Sequence, residues 1–270
     1  MAYDYITTPQ FGDTFYQWAF NAGSLANGNS YPLQKIDITS WDFICRHWAG
    51  WETVIDTPAN GGSIKAYDEI MRDWSASPLA YGSFPQGEVK VPEKRYRVNS
   101  KIQFDLNKVL KAANSGTNAS QLVFSGVRRI PGWASDPAPS NFTYKPVNFS
   151  YPYTLTVQQA PVAPAKYTIE IKDYDFVLER IELTPYSYPS KFAMLLYDMN
   201  NVARANTHID CLRICHSDPS LSNGELSFFP SPPLLYKVNS AINFEITSRI
   251  GAGGPLTFQM HFVGNRRIPC

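Results

Sequence analysis

The sequence predicts an all-β chain made of two tandem, duplicated antiparallel β-sandwiches of jelly-roll type. Three observations carry this. First, blocks recur in one order. Tyr96-Arg-Val98-Asn99-Ser100-Lys-Ile102-Gln-Phe104-Asp105 returns as Tyr236-Lys-Val238-Asn239-Ser240-Ala-Ile242-Asn-Phe244-Glu245, and Phe124-Ser-Gly126-Val-Arg128-Arg129-Ile130-Pro131 returns as Phe262-Val-Gly264-Asn-Arg266-Arg267-Ile268-Pro269. A weaker pair matches Ile36–Ile44 with Ile169–Val177, and the three offsets are 140, 138 and 133 residues. A period this long implies two whole folding units rather than a solenoid, whose repeats run about 20–50 residues. Second, the recurring blocks alternate apolar and polar residues with period two, the signature of strands with one face on a core. Third, Gly, Pro, Asn and Ser clusters such as Pro58–Gly62 and Pro230–Pro233 punctuate the chain, which suits short strands in a sandwich or jelly roll.

Taken in order, residues 1–33 precede the first recurring block and carry Tyr3, Tyr5, Phe11, Phe15, Tyr16, Trp18 and Phe20. They read either as the first strand of the first unit or as an extended arm that docks on a neighbour. Residues 34–133 form the first sandwich, with Tyr96, Val98, Ile102 and Phe104 on one strand face. Ser63–Met71 is a further strand, while Asp105–Ala113 and Tyr67–Ser75 carry weak helical signals. Residues 134–153 read as a Pro-rich linker, and 154–270 as the second sandwich. Its strands include Thr154–Gln158, Val177–Leu183 and Phe192–Met199, and its last strand places Phe258, Met260, Phe262 and Gly264 on one face. Glycine at matching places in Gly126 and Gly264 implies a bulge or a close backbone approach. The proline after each Arg-Arg-Ile ends the ladder because it has no N–H to donate.

Composition narrows the function classes. The chain has 270 residues and a net charge of +1, with no basic block, so it lacks the electrostatic footprint of a nucleic-acid binder. The charged fraction is 17%, below the ~25% of an ordinary domain. Low charge with many aromatics suits an all-β protein and one that buries surface against neighbours, including copies of itself. No apolar run approaches the ~18–20 residues of a membrane span and no secretory signal opens the chain, so no membrane partner is expected.

Catalytic signatures are lacking in the sequence. It carries no Gly-x-Ser-x-Gly elbow, His-Glu-x-x-His, P-loop or dinucleotide fingerprint. Asp42 with Asp175, and Asp68 with Asp198, occur once per unit, and so could form a carboxylate pair only if the units faced each other. His208-Ile-Asp-Cys211-Leu-Arg-Ile-Cys215-His216 is the one metal-like cluster, with Cys211 and Cys215 sharing a face if the segment is a single strand. Zinc usually needs a second ligand pair. Cys45, Cys270, His47 and His261 are scattered, so neither metal nor cofactor is expected.

The remaining candidates are interaction residues. By strand parity Arg128 and Arg266 face inward, and the reading as rim salt bridges pairs them with Asp42 and Asp175. Arg129 and Arg267 point outward and are candidates for intersubunit or anion contacts, since guanidinium pairs in bidentate fashion. All six tryptophans fall in the first unit: Trp18, Trp41, Trp48, Trp51, Trp74 and Trp133. Trp41 answers Tyr174 and reads as core. Trp48-Ala-Gly-Trp51 has no counterpart and reads as core, as a protein-contact patch or as a sugar-stacking site. Phe15, Tyr16, Trp18, Trp48 and Trp51, with the two outward arginines, are thus the interface candidates.

At the paired Tyr-x-Val-Asn-Ser-x-Ile-x-Phe-[Asp/Glu] and Phe-x-Gly-x-Arg-Arg-Ile-Pro blocks, about 40 residues in each unit, the sequence resembles jelly-roll virion structural proteins of bacteriophages. The similarity is to the capsid decoration (cement) and head accessory type. It implies a non-enzymatic protein made in the host cytoplasm, carried on the virion, and partnered by the major capsid protein or other virion proteins. Two alternatives are the double-jelly-roll major capsid protein of a tailless phage and a tandem carbohydrate-binding module or adhesin. The Pro-rich joint departs from the first of these, because it would let the units separate.

Overall fold

The computed structural model describes residues 11–25, 30–53, 62–75, 79–81, 89–108, 118–131, 144–158, 163–184, 192–211, 215–216, 233–248 and 254–269. Tyr3, Tyr5, Trp133, Cys270 and the 134–143 stretch of the expected linker lie outside them.

The first half carries β1 (Phe11–Leu25), β2 (Ser30–Asp37), β3 (Asp42–Thr53), β4 (Gly62–Tyr67), β5 (Leu79–Tyr81), β6 (Val89–Tyr96), β7 (Lys101–Lys108) and β8 (Asn118–Pro131). They form two four-stranded antiparallel sheets in the orders β1-β8-β3-β6 and β2-β7-β4-β5. The second half carries β9 (Tyr144–Val157), β10 (Ala165–Glu170), β11 (Asp175–Thr184), β12 (Phe192–Leu196), β13 (Ile209–Asp210), β14 (Cys215–His216), β15 (Leu234–Tyr236), β16 (Ala241–Ser248) and β17 (Leu256–Pro269). Its sheets run β9-β17-β11, with β15 and β14 sharing the far edge of β11, and β10-β16-β12-β13. Apart from the short β14, the strand orders of the two halves superpose. First strand beside last, third between last and sixth, and the other four in the facing sheet is the jelly-roll arrangement.

The match extends to single hydrogen bonds. Tyr96 Oη donates to Tyr67 O, and Tyr236 Oη to Tyr197 O. Tyr67 Oη donates to Asp105, and Tyr197 Oη to Glu245, at 2.5 and 2.6 Å. Each phenol is consequently pushed up to about 12, Tyr67 chiefly by its carboxylate partner and Tyr197 first by burial and then by Glu245. A side chain at Gly126 would meet Ile44 O at 1.9 Å, and one at Gly264 would meet Val177 O at 1.9 Å. The close approach read from the sequence is thus contact with the neighbouring strand's backbone.

Two expectations are corrected. Residues 144–153 are not linker but most of β9, which pairs along its whole length with β17, from Val157 opposite Leu256 to Tyr144 opposite Pro269. Phe149, Tyr151, Tyr153 and Leu155 alternate inward there, a period-two pattern that the intervening prolines disguised. The helical signals also fail among the described residues. Asp105–Lys108 continues β7, and the chain after Tyr67 turns sharply around Asp68. That carboxylate accepts the N–H groups of Ile70 and Arg72, which offers the backbone a turn instead of a helix.

Strand β1 is the joint between the halves. Tyr16 and Trp18 enter the first unit's core beside Phe43, Trp48, Phe104 and Phe124. On the opposite face Phe15 and Ala19, with Val123 of β8, join the second unit's core beside Met194, Leu196, Ala205 and Ile209. Gln17 donates its N–H to Arg204 O and accepts from the Asn206 N–H, a parallel bridge across the seam. The Asn206 side chain bonds both the N–H and the C=O of Ala19, and Gln121 bonds the backbone of His208 and Asp210. With apolar area and directional bonds together, the two jelly rolls are held as one body.

Candidate functional site

Turns at one end of each unit are built by the recurring residues. Asp42 accepts the Val98 N–H and the Arg95 guanidinium, closing the β2–β3 turn onto the β6–β7 turn. Asp175 accepts the Val238 N–H in the same way. Asn99 and Asn239 sit at φ 66 and 65, left-handed positions that asparagine tolerates. Asp68 and Asp198 each hold the turn after β4 and β12 by accepting two backbone N–H groups. The carboxylate pairs considered from the sequence are therefore turn staples, one in each unit.

These polar staples hold apolar side chains out in solvent. Trp41, Ile70, Met71 and Val98 project from the turns of the first unit and Tyr174, Val202 and Val238 from those of the second, while Val147 projects from strand β9 near the same end, opposite Arg266. Of the nine large apolar side chains exposed among the described residues, only Leu33 lies elsewhere. Trp41 is 38% exposed and Tyr174 37%. This corrects the reading of that pair as core, since alternation cannot distinguish an inward position from one just beyond the last hydrogen-bonded pair.

Both ends face the same way. β1 starts at this end in unit one, where Phe11 opposes Pro131. In unit two, Asp198 lies at the equivalent end, and the chain from Arg204 to Asp210 runs away from it, antiparallel to β12. Because Gln17 and Ala205 bridge in parallel, the two jelly rolls stand side by side with their turns at one pole.

Arg128 and Arg266 do not pair with Asp42 and Asp175. Arg128 stacks 3.2 Å from the Tyr16 ring centroid and 5.2 Å from Trp18; Arg266 stacks 3.4 Å from Phe149 and 5.6 Å from Tyr151. The inward parity carries each guanidinium over the core rim onto aromatic faces, where the ring quadrupole attracts it. Burial brings Arg128 down to about 10. Arg266 also meets Asp173 at 3.3 Å, and Asp42 is satisfied by Arg95 at 2.6 Å. Arg129 and Arg267 are half-buried opposite Asp42 and Asp175 in the ladders.

The aromatic candidates divide. Phe15 is an interface residue within the chain, and Tyr16, Trp18 and Trp48 are core. Trp48 and Trp51 lie in strand β3, and the Trp51 side chain falls outside the described residues. Cys211 is buried just after β13, whereas Cys215 starts β14 in the other sheet, so the two do not share a strand face. No cluster of metal ligands occurs among the described residues.

At the seam Arg204 bonds Asp198 at 2.6 Å and also donates to Thr14 Oγ1. Sequence reasoning missed Arg204, which takes the place of Trp74 in the other unit and so has no repeat to flag it. His208 is held below its usual range first by burial, although Glu245 at 3.4 Å opposes this.

The staples titrate in a defined direction. Burial alone would raise Asp42 and Asp68, but hydrogen bonds from backbone N–H groups and arginine outweigh it and leave both below the usual carboxylate range. A carboxylate depressed in the folded state contributes stability above its unfolded value, about 3.9, and that stability is lost as pH falls through the folded value. Asp68→Asn should therefore lose less stability than the parent between about pH 5 and pH 2. Urea midpoints across that range check this, and parallel curves would refute it.

No family model and no curated protein matches the chain. The solved structures it resembles include the PBSX exported protein XepA, at 8% identity and a TM-score of 0.26, covering 91% of this chain and 86% of that one. They also include the T=1 particle of Penaeus vannamei nodavirus, at 8% identity and 0.28, covering 96% and 98%. A third is the tandem CBM22-1–CBM22-2 domain from Paenibacillus barcinonensis, at 7% and 0.19, covering 92% and 86%. Resemblances at this level carry no argument about function.

Proposed function

We propose that this chain is a non-enzymatic structural component of a bacteriophage virion that assembles on the capsid through protein–protein contacts. The supporting observation is that two jelly rolls are fixed as one body with their turn-bearing ends aligned. Jelly rolls are a recurrent unit of capsid and lectin architecture, and a rigid pair with one shared pole suits a tile better than a flexible tether. A fixed seam also suits the alternative, a shell-forming double jelly roll of a tailless phage, which stays a separate reading. Fold alone does not define function, so the test is direct. Particles purified from infected cells should contain this chain in stoichiometric amount, and particles without it would overturn the reading.

A carbohydrate-binding role is the second reading, favoured by the exposed Trp41 and Tyr174 rings. It requires glycan-array binding that Trp41→Ala or Tyr174→Ala abolishes.

A further inference from the structure

We infer that this chain binds a second copy of itself by repeating its own seam, with β9 of one copy meeting the segment after β4 of the next. This goes beyond the reading as a virion component, because it names the partner and the register of the contact. The seam within the chain is heterologous. The first unit gives the outer edge of β1, and the second gives the segment Arg204–Asn206 that follows β12. Each of these halves has a duplicate that the seam leaves unused: β9 on the second unit, and the segment after β4 on the first. A heterologous contact whose halves recur at both ends of a molecule repeats from copy to copy, and closes into a ring if its rotation permits. Both units point the same way, so the operation is chiefly a rotation about an axis along the jelly rolls.

The ladders fix which residues would meet. Strands β1 and β9 align residue for residue, because Phe11 opposes Pro131 and Tyr144 opposes Pro269. Ser150 thus takes the place of Gln17, Asn148 that of Phe15 and Pro152 that of Ala19. On the other half, the Trp74 N–H bonds Ala66 O as the Arg204 N–H bonds Leu196 O, so Ser75 takes the place of Ala205. β9 is the outer strand of its sheet, and among the described residues only β17 pairs with it. Asn148 and Pro152 are exposed there.

Differences between the two sets of residues match in pairs, which points to a copy of this chain as the occupant. In the seam the Asn206 side chain bonds both the N–H and the C=O of Ala19. The duplicate has Pro152 at the first place, without an N–H, and in the sequence Ala76 at the second, without an amide. In the seam Phe15 fills the opening of the second unit beside Arg204. Its duplicate is the smaller Asn148, and Trp74 closes its own unit from within, 5.8 Å from the Phe124 ring and donating to Tyr96 Oη at 3.0 Å. A group lost on one half is thus met by a loss on the other, and bulk by its absence. Pro146 and Pro152 have the outward parity of Gln17, where an edge strand loses no ladder bond to proline. Between them Asn148 and Ser150 offer outward N–H groups, enough for a bridge like that of Gln17 with Ala205 but not for open-ended edge pairing.

The test uses the full chain in sedimentation velocity at concentrations up to about 100 μM. The parent should form a species larger than the monomer. Ser150→Pro removes the N–H the bridge needs, on an edge that already carries two prolines, and Asn148→Glu changes only an exposed side chain. Each should weaken association by about tenfold, the effect of one interfacial polar group left unmatched. Circular-dichroism melts like that of the parent confirm that the variants fold. Oxidation tests the register: Ser75→Cys with Ser150→Cys in one chain should give covalent oligomers on a non-reducing gel, and either cysteine alone no more than the parent gives. A parent that stays monomeric, association that both β9 substitutions leave intact, or a double variant that does not cross-link would overturn the inference. So would extra cross-linked dimers from either single variant, which would assign the edge to a two-fold contact. Each outcome is independent of whether virus particles contain the protein.

Discussion

Replacing Gly126 by alanine is expected to destabilise the chain by about 3 kcal/mol or more, the upper range for overpacking a closed site. The added Cβ would lie 1.9 Å from Ile44 O and 2.9 Å from its carbonyl carbon, and both are backbone atoms of the adjacent strand. No rotamer change relieves that contact. β8 would have to part from β3 at the rung where Cys45 opposes Gly126, just beside the register shift between Cys45 and His47. Gly264→Ala should behave alike, since its Cβ would meet Val177 O at the same 1.9 Å beside the Leu178–Arg180 shift. Gly254→Ala is the control, because a Cβ there meets nothing within 4 Å. Urea denaturation should place the first two midpoints well below that of the parent and leave the third near it. Equal midpoints for all three would show that the ladders absorb the methyl group.

Phe15→Ala should cost about 3–5 kcal/mol, as expected for a buried phenylalanine, and should also change how the protein unfolds. Phe15 belongs to β1 of the first unit yet is only 4% exposed because it lies in the second unit's core cluster. Its loss removes a ring packed across the seam with Met194, Leu196, Ala205 and Ile209 and leaves the bonds of Gln17, Asn206 and Gln121. Calorimetry should show one cooperative transition in the parent and two in the variant, since among the described residues this seam couples the cores. Phe43→Ala is equally buried but lies wholly within the first unit, so it should lower stability without splitting the coupling in the same way. If Phe15→Ala keeps a single transition, the polar bonds suffice to couple the halves.

The fold was legible because its determinants are local. Ile102 and Phe104, like Ile242 and Phe244, alternate along one strand and are buried, but the block is not the single strand expected: Tyr96 and Tyr236 are buried at the end of the preceding strand in the other sheet, and Val98 and Val238 stand exposed in the turn between. Residues whose role depends on where a strand stops were less legible. Trp41 and Tyr174 recur like core residues, but they stand beyond the last ladder pair and are held outward by the Asp42 and Asp175 staples. Trp48 appeared unique and available for binding, yet it is core, because the sequence does not show which stretch of β3 another sheet covers. The seam was least legible. Gln17, Gln121, Arg204 and Asn206 are ordinary polar residues until two distant segments meet.

The sequence by itself determined two all-β units, the inward residues within most of the recurring strands and the glycines at which strands crowd, because period-two patterning and backbone sterics act within a few residues. Tertiary structure alone decided that β1 serves both cores, that Arg128 and Arg266 stack on rings instead of pairing with aspartates, and that the apolar turns share one pole. Those outcomes depend on contacts between residues more than a hundred positions apart, whose free energy exists only after both segments are folded and desolvated against each other.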